Sequence, residues 1–323
     1  MARTRLYRNG VLIAENFPAE DVSDYLPEPD TAVWLDLCFP TAADLATISE
    51  ELDLHELAVE DAVGEHQRAK LDRYDTHSFL TAYAVRLDTE TGSLETSELA
   101  AFVTDRALVT VRKDEHFDIE AVVARWDSAA DLAKNGVGYL LHGLLDYIVD
   151  GQFDVVQALD EEIETLEDQV LAEEVHHKEV QLRSLHLRRS LVTLRRVVLP
   201  MREVMNAVMR PDFRLVTDEL MPYYEDVRDH VLRTAEWTES LRDLVTTVRE
   251  TQLNLQGNRL NMIMKKVTGW AAIIAVPTAI TGFYGQNVPY PGTGEPWGFW
   301  VSTGVMLTLS AGLFVLFRRR DWL

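Results

Sequence analysis

The amino-acid sequence predicts an α+β chain in which a mixed α/β domain is followed by long helices and then by two helices that cross a membrane. Three observations predict it. Short β-rich runs alternate with helical patterns over residues 1–135, the rhythm of a mixed sheet-and-helix domain. From Val137 onward the composition favours helix almost without interruption. Near the C-terminal end two runs carry no charged side chain, Val267 to Gly294 and Trp297 to Phe317. Each reaches the roughly 20 helical residues that a bilayer core requires.

The charge balance narrows the partners. The 323 residues contain 53 Asp and Glu against 31 Lys and Arg, a net charge of −22. No acid lies between Glu250 and Glu295, so the excess belongs to the part that precedes the uncharged runs. This excludes a nucleic-acid partner, because phosphate binding needs a clustered basic surface, whereas an acidic surface attracts cations. With one cysteine, Cys38, there is neither an internal disulfide nor a multi-thiolate metal site, which fits a reducing compartment. Met1 to Pro18 has no uninterrupted apolar core of the signal-peptide kind, and the acidic part is expected to stay in the cytoplasm.

In the first domain, 1–135, strands are expected near Gly10 to Ala14, Ala32 to Leu37, Phe79 to Leu87, Leu99 to Thr104 and Leu108 to Arg112, with helices over Ala42 to Leu52 and Glu115 to Ala130. The region has no glycine-rich phosphate loop, nucleophile elbow or metalloprotease helix, so neither an enzyme nor an organic cofactor is expected. Residues 136–216 read as helical, acidic between Gly151 and His177 and basic around Arg188, Arg189, Arg195 and Arg196. Opposite charge in two halves suits an antiparallel hairpin, although nothing between Gln152 and Leu199 obviously breaks a single continuous helix. On such a hairpin His176, His177 and His186 read as solvated side chains rather than as a metal cluster.

Residues 217–266 read as a stalk helix. After Pro222 the stretch has no proline and one glycine, Gly257, while Val227, Val231, Leu241, Leu244, Val248 and Leu255 recur near three- and four-residue intervals. The first membrane helix, 267–283, ends where Gly285, Pro289, Pro291, Gly292, Gly294 and Pro296 forbid helix. An external loop (284–296), the second membrane helix (297–317) and a basic tail (318–323) follow. Lys265, Lys266 and Arg318 to Arg320 flank the pair, and Glu295 alone is charged in the loop. The positive-inside rule therefore puts both ends in the cytoplasm, with Trp297 and Trp300 as anchors at the outer surface.

Two helices cannot enclose a watery path, so a channel built from this chain requires several copies around an axis. Every third or fourth residue of the first membrane helix is small or polar: Asn261, Met264, Thr268, Ala271, Ala275 and Thr278. This stripe either borders water or lets helices pack closely in lipid.

At the end of that helix stands Tyr284-Gly285-Gln286-Asn287. The segment resembles the Tyr-Gly-Met-Asn signature of the CorA magnesium-transporter family, matching three of four residues. Asn261 through Lys265 resembles that family's Asn-x-x-Met-Lys entry to the pore helix, and Pro222 through His230 the start of its stalk. Glu60-Asp61 followed by His66-Gln67-Arg68 resembles a stretch of its cytosolic domain.

The resemblance implies a funnel-shaped homopentamer in the inner membrane, multi-pass, conducting magnesium and also cobalt or nickel, with no enzymatic activity. In it Asn287 carboxamides, with backbone carbonyls of Tyr284 and Gly285, would form an outer ring of neutral oxygens around a hydrated ion. Magnesium sheds its inner waters reluctantly, so such a ring suits it. Carboxylates of adjacent cytosolic domains would bind magnesium as a regulatory ligand. The matching positions here are Asp61 and Asp226, with Glu60 as a further candidate.

Gln286 departs from the family's methionine, and relatives altered at this position include zinc transporters. Ala275 stands where a bulky constriction residue is expected, which leaves Met264 and Val267 as the candidate gate. A zinc or other-metal transporter of the same fold and a non-conducting membrane metal sensor are the alternatives to the magnesium channel.

Overall fold

The computed structural model describes residues 2–64, 67–88, 91–172, 177–286, 289 and 291–322. They form two units, Met1–Val248 and Arg249–Leu323. Seven strands make the sheet of the first: β1 (Ala2–Arg8), β2 (Val11–Glu15), β3 (Thr31–Cys38), β4 (Lys70–Arg73), β5 (Ser78–Asp88), β6 (Ser93–Val103) and β7 (Ala107–Arg112). Their order is β2-β1-β3-β7-β6-β5-β4. β3 pairs β7 in parallel, and the other pairings are antiparallel.

The helices are α1 (Val22–Tyr25), α2 (Ala42–Leu52), α3 (Glu56–Val63), α4 (Ile119–Ser128), α5 (Ala130–Ala133), α6 (Val137–Leu171), α7 (His177–Val208), α8 (Met221–Tyr284) and α9 (Pro296–Arg319). The sheet is covered on both faces, which is why β3 reads as an apolar run rather than an alternation. Its odd residues Val33, Leu35 and Leu37 share a core with Leu45 and Ile48 of α2 and Ala58 and Ala62 of α3. Ala32 and Trp34, pointing the other way, share one with Val122 and Trp126 of α4 and Leu140 and Leu144 of α6. The period of two thus sorts one strand's side chains into two separate cores.

Asp36 interrupts this apolar strand, and it is buried. Arg112 of β7 grips its carboxylate with Nε 3.1 Å from both oxygens and Nη2 2.6 Å from Oδ2, while the Thr110 hydroxyl donates to Oδ1 at 2.7 Å. Burial works against the Arg112 charge, and the hydrogen bonds and field of Asp36 more than offset it, leaving the guanidinium pKa above its ordinary value. Neighbouring strands are tied by a fork-shaped, directional contact. At the start of α2 the Thr41 amide and hydroxyl donate to Asp44 and the Asp44 amide returns to Thr41, a complete capping box. Those donors hold the Asp44 carboxyl below its ordinary pKa.

Strands β1 and β4 were not expected from the sequence, because arginine and lysine interrupt their alternation: ARTRLYR and KLDR. β6 also begins at Ser93, well before the expected Leu99. Tertiary pairing recruits these polar segments, each a neighbour of a strand that the core does specify.

α6 and α7 are two helices, which resolves the alternative of one continuous rod. Ala172 after α6 is extended, with φ −63 and ψ 149. Leu159, Ile163 and Leu166 of α6, Leu187, Leu191 and Leu194 of α7, and Leu241 and Val245 of α8 share a core of their own. Arg183 pairs with Glu162 and Arg195 with Glu239 across it. His186 is exposed, as expected of a solvated side chain, and its Nδ1 also lies 3.1 Å from the Thr91 carbonyl, beside Ser190 donating to Gly92 at 2.7 Å. Tyr224, fully buried at the start of α8, donates to the Gly138 carbonyl at 2.7 Å, and burial pushes its phenol pKa up.

In the second unit, α9 follows a turn in which the Glu295 amide donates to the Gly292 carbonyl at 3.1 Å. A Cβ on Gly298 would lie 2.5 Å from that carbonyl, so the turn closes against a bare backbone. α8 carries Pro277 inside it, which removes one ladder amide. Thr278 and Thr281 donate to the Ile274 and Pro277 carbonyls at 3.0 and 2.8 Å.

Trp126 gives the first unit a sensitive point. Its indole lies edge-on to Trp34 with centroids 5.0 Å apart and donates to the Leu140 carbonyl at 3.0 Å. A Cβ on Gly143 would meet Nε1 at 2.5 Å. Gly143→Ala is expected to lower stability by about 1–3 kcal/mol, read as a lower midpoint in thermal unfolding of the detergent-solubilised full-length protein.

Candidate functional site

Helical geometry places the residues expected to line an ion path. At about 100° per residue, Asn261, Met264, Val267, Thr268, Ala271, Ala275 and Thr278 fall within an arc of roughly 120°. All seven are exposed. The less exposed positions of the same stretch are Gly269, Ala272, Ile273, Val276, Pro277, Ile280 and Tyr284, and they centre on the opposite side of α8. On α9 the half-buried residues Ser302, Met306, Ser310, Leu313 and Phe317 recur at three and four, and Trp270 meets Phe314 with ring centroids 6.3 Å apart. Within the unit α8 is covered along the side of Ile273, Val276 and Ile280, while the stripe, like Trp270 and Ile274, is exposed. A cavity of about 630 Å³ beside the stripe is bordered by Asn258, Asn261, Met264, Lys265, Thr268 and Asp321. α8 and α9 are the two described helices long and apolar enough to cross a membrane.

At the expected mouth, Tyr284 is the last residue of α8. The Gly285 amide continues the helical ladder to Thr281 at 2.8 Å, and the Gln286 amide reaches the Phe283 carbonyl at 3.3 Å. Gln286 is exposed. Asn287, on which the expected oxygen ring centres, lies outside the described residues, as do His66 and His176.

The expected regulatory acids belong to the first unit. Glu60 and Asp61 lie on α3, and Asp226 lies exposed on α8. Asp61 is held within its own chain: its Oδ2 is 2.6 Å from the Lys70 ammonium on β4, and that ammonium is also 2.6 Å from Oδ2 of Asp72. Burial acts against the Lys70 charge, and the two carboxylates outweigh it, so its pKa lies above the ordinary lysine value. A raised lysine pKa means that the pairing is fully present at neutral pH and is lost only as pH rises past the ordinary lysine range. Among the described residues no three His, Cys, Asp or Glu side chains gather to hold a metal ion. Sequence reasoning missed Lys70, whose alternation with Asp72 looks like any charged surface strand until the fold brings α3 beside it.

A mixed α/β unit whose long helix continues into the first of two exposed apolar helices has the architecture of a membrane protein. The CorA-like Mg2+ transporter family model matches residues 29–319, and this chain belongs to that family of divalent metal transporters. It is 30% identical over 313 residues to the cobalt/magnesium transport protein CorA of Thermotoga maritima, covering 95% of this chain and 88% of the relative. It is 22% identical over 303 residues to the zinc transport protein ZntB of Yersinia pseudotuberculosis, covering 90% and 86%. In fold it resembles the complete CorA magnesium transporter of Methanocaldococcus jannaschii, with a TM-score of 0.79, 24% identity, and 100% and 99% of the two chains covered. The full-length CmaX protein has a TM-score of 0.73 at 19% identity, over 98% and 96%.

Helix α3, which carries Glu60 and Asp61, rests on a stack of rings. His55 caps the helix, its Nδ1 accepting from the Leu57 amide at 3.2 Å, and stacks on Tyr74, which stacks on His77. Thr76 gives its one hydroxyl proton to the Asp53 carbonyl at 2.7 Å, so the 2.9 Å contact with His77 requires a proton on the ring's Nδ1. Nε2 is then a buried acceptor, with no partner among the described residues. Burial, with the neighbouring His55, lowers the His77 pKa. Between the two states the unfolded chain binds more protons, so stability falls as pH drops below about 6.5. Thermal midpoints of the full-length protein measured from pH 7.5 to 5.5 are expected to decline, and His77→Phe to flatten that decline by up to about 1 kcal/mol.

Proposed function

We propose that this protein is a passive channel for magnesium uptake, with cobalt and nickel as lesser substrates, driven by the membrane potential. One observation carries the reading: the stripe from Asn261 to Thr278 is exposed on the side of α8 opposite to its covered face. Copies arranged around an axis would bring five such stripes together in the pentamer that the family resemblance implies, with α8 inside and α9 toward lipid. The stripe is uncharged, as suits passage of a hydrated ion: it offers the Asn261 carboxamide and the Thr268 and Thr278 oxygens. Thr278 spends its proton on its own helix and so presents lone pairs. Met264 and Val267 are the gate candidates. At the outer mouth the Asn287 carboxamide, with the Tyr284 and Gly285 carbonyls and Gln286, would form the selectivity ring.

The basic flanks support a topology with both ends in the cytoplasm and the channel in the inner membrane. The potential then draws a doubly charged ion inward by roughly 4.6 kcal/mol per 100 mV. Asp61 of one subunit and Asp226 of the next, with Glu60 nearby, are proposed to bind magnesium when its internal concentration is high. The ion would bridge like charges, and its loss would loosen the closed ring.

Zinc transport is the second reading, favoured by Gln286 and by the similarity to a zinc transport protein. Purified protein in liposomes under an inside-negative potential, loaded with magnesium- or zinc-sensitive dye, separates the two. Magnesium uptake is expected to rise with voltage and to fall at least about tenfold in Asn287→Ala, the loss of one differential ligand interaction per subunit. Zinc flux without magnesium flux establishes the second reading, and no flux of either ion from intact oligomers leaves a sensor.

A further inference from the structure

The proposed regulatory carboxylate is not bare. Asp61 already has a cation at 2.6 Å, the Lys70 ammonium, and the same ammonium is held by Asp72 at 2.6 Å. The two carboxylate oxygens share one Nζ, so they lie no more than twice that distance apart. Beneath them the Phe79 ring has its centroid 5.9 Å from Nζ. β4 pairs Lys70 with Thr81 and Asp72 with Phe79, so the sheet sets the root of the lysine while α3 sets the position of Asp61. The lysine has a fixed post between two acids and an aromatic face; its side chain is 31% exposed, that of Asp61 26% and that of Asp72 42%.

We propose that Lys70 is a built-in competitor for the divalent cation at Asp61, and that it sets the magnesium concentration at which the regulatory site fills. This rests on the reading of Asp61 as a regulatory ligand. Magnesium is bound through one or two carboxylates while keeping several waters, and an ammonium 2.6 Å from Oδ2 occupies the direction from which such an ion approaches that oxygen. Binding at Oδ2 requires Lys70 to leave Asp61. Asp72 gives it somewhere to stay, so the exchange exposes no uncompensated ammonium. When magnesium departs, Lys70 returns and Asp61 is neutralised within its own subunit. The response to internal magnesium is thereby shifted to higher concentration than two free carboxylates would give. Lys70 is a positioning and competing residue, and it touches no ion itself.

The test titrates full-length protein in detergent with magnesium chloride and reads site occupancy from the heat of binding by calorimetry, with the thermal midpoint measured without magnesium as the check on folding. This readout is independent of ion conduction. Lys70→Met, which keeps the apolar stem and removes the charge, is expected to lower the half-saturating magnesium about two- to fivefold, the span of a partly exposed ion pair. Lys70→Arg is expected to stay near the native value. Asp61→Ala is the reference arm. If it leaves the magnesium response intact, Asp61 is no ligand, and the regulatory reading and this proposal fall together. If Asp61→Ala abolishes the response while Lys70→Met leaves the half-saturating concentration unchanged or raises it, the regulatory reading stands and the competitor proposal is overturned. Should Lys70→Met destabilise α3, its midpoint without magnesium will fall, and the half-saturating concentration still decides.

Discussion

Helix α8 has to satisfy two solvents, and most of the molecule follows from how it does so. Up to Val248 it buries Tyr224, Val227, Val231, Leu241 and Val245 in the cores of the first unit. Beyond Lys266 it carries no charge until it ends at Tyr284. In hydrocarbon every backbone amide must be bonded within the helix. Pro277 has no amide to satisfy and leaves the Ile273 carbonyl without its ladder donor, and the threonines that follow it spend their hydroxyl protons on carbonyls of the same helix instead of seeking partners in lipid. One uninterrupted element therefore serves as core helix in one unit and as candidate pore wall in the other, with only the side chains changing.

The acidic first unit needs a means of holding its charge. Part of the answer is local pairing. Asp36 is gripped by Arg112, Glu162 by Arg183, Glu239 by Arg195, and Asp61 by Lys70. These pairs differ in kind. Asp36 is buried, and its bidentate partner makes it an internal tie between β3 and β7, costly to break from one side. Asp61 and Lys70 sit where water reaches them, so their pairing is weak enough to be exchanged. A strong pair builds the sheet, and a weak one is free to be regulatory.

How much was legible beforehand depended on whether a residue's role is written along the chain or across it. The two membrane helices were plain because exclusion of charge over a bilayer's thickness is a one-dimensional signal. α2 announced itself with its helical pattern over Ala42 to Leu52, and the central strands with their apolar runs. β1 and β4 did not, since ARTRLYR and KLDR have no apolar alternation, and only pairing with a neighbour makes them strands. The signature Tyr284 to Asn287 and the stripe from Asn261 to Thr278 were visible as patterns. Whether the stripe faced a partner helix or open space was not, because that depends on which side of α8 is covered.

By itself, then, the sequence determined the division into an acidic α/β part and two apolar helices with basic flanks, and the candidate residues of the path. Those are consequences of composition and period, which the chain carries without folding. The tertiary structure decided that Val33 and Trp34 belong to different cores, that α6 and α7 are separate helices, that the polar stripe of α8 lies opposite its covered side, and that Asp61 has Lys70 against it. Each of these depends on segments far apart in the chain being brought within a few ångströms, and no local pattern records which ones meet.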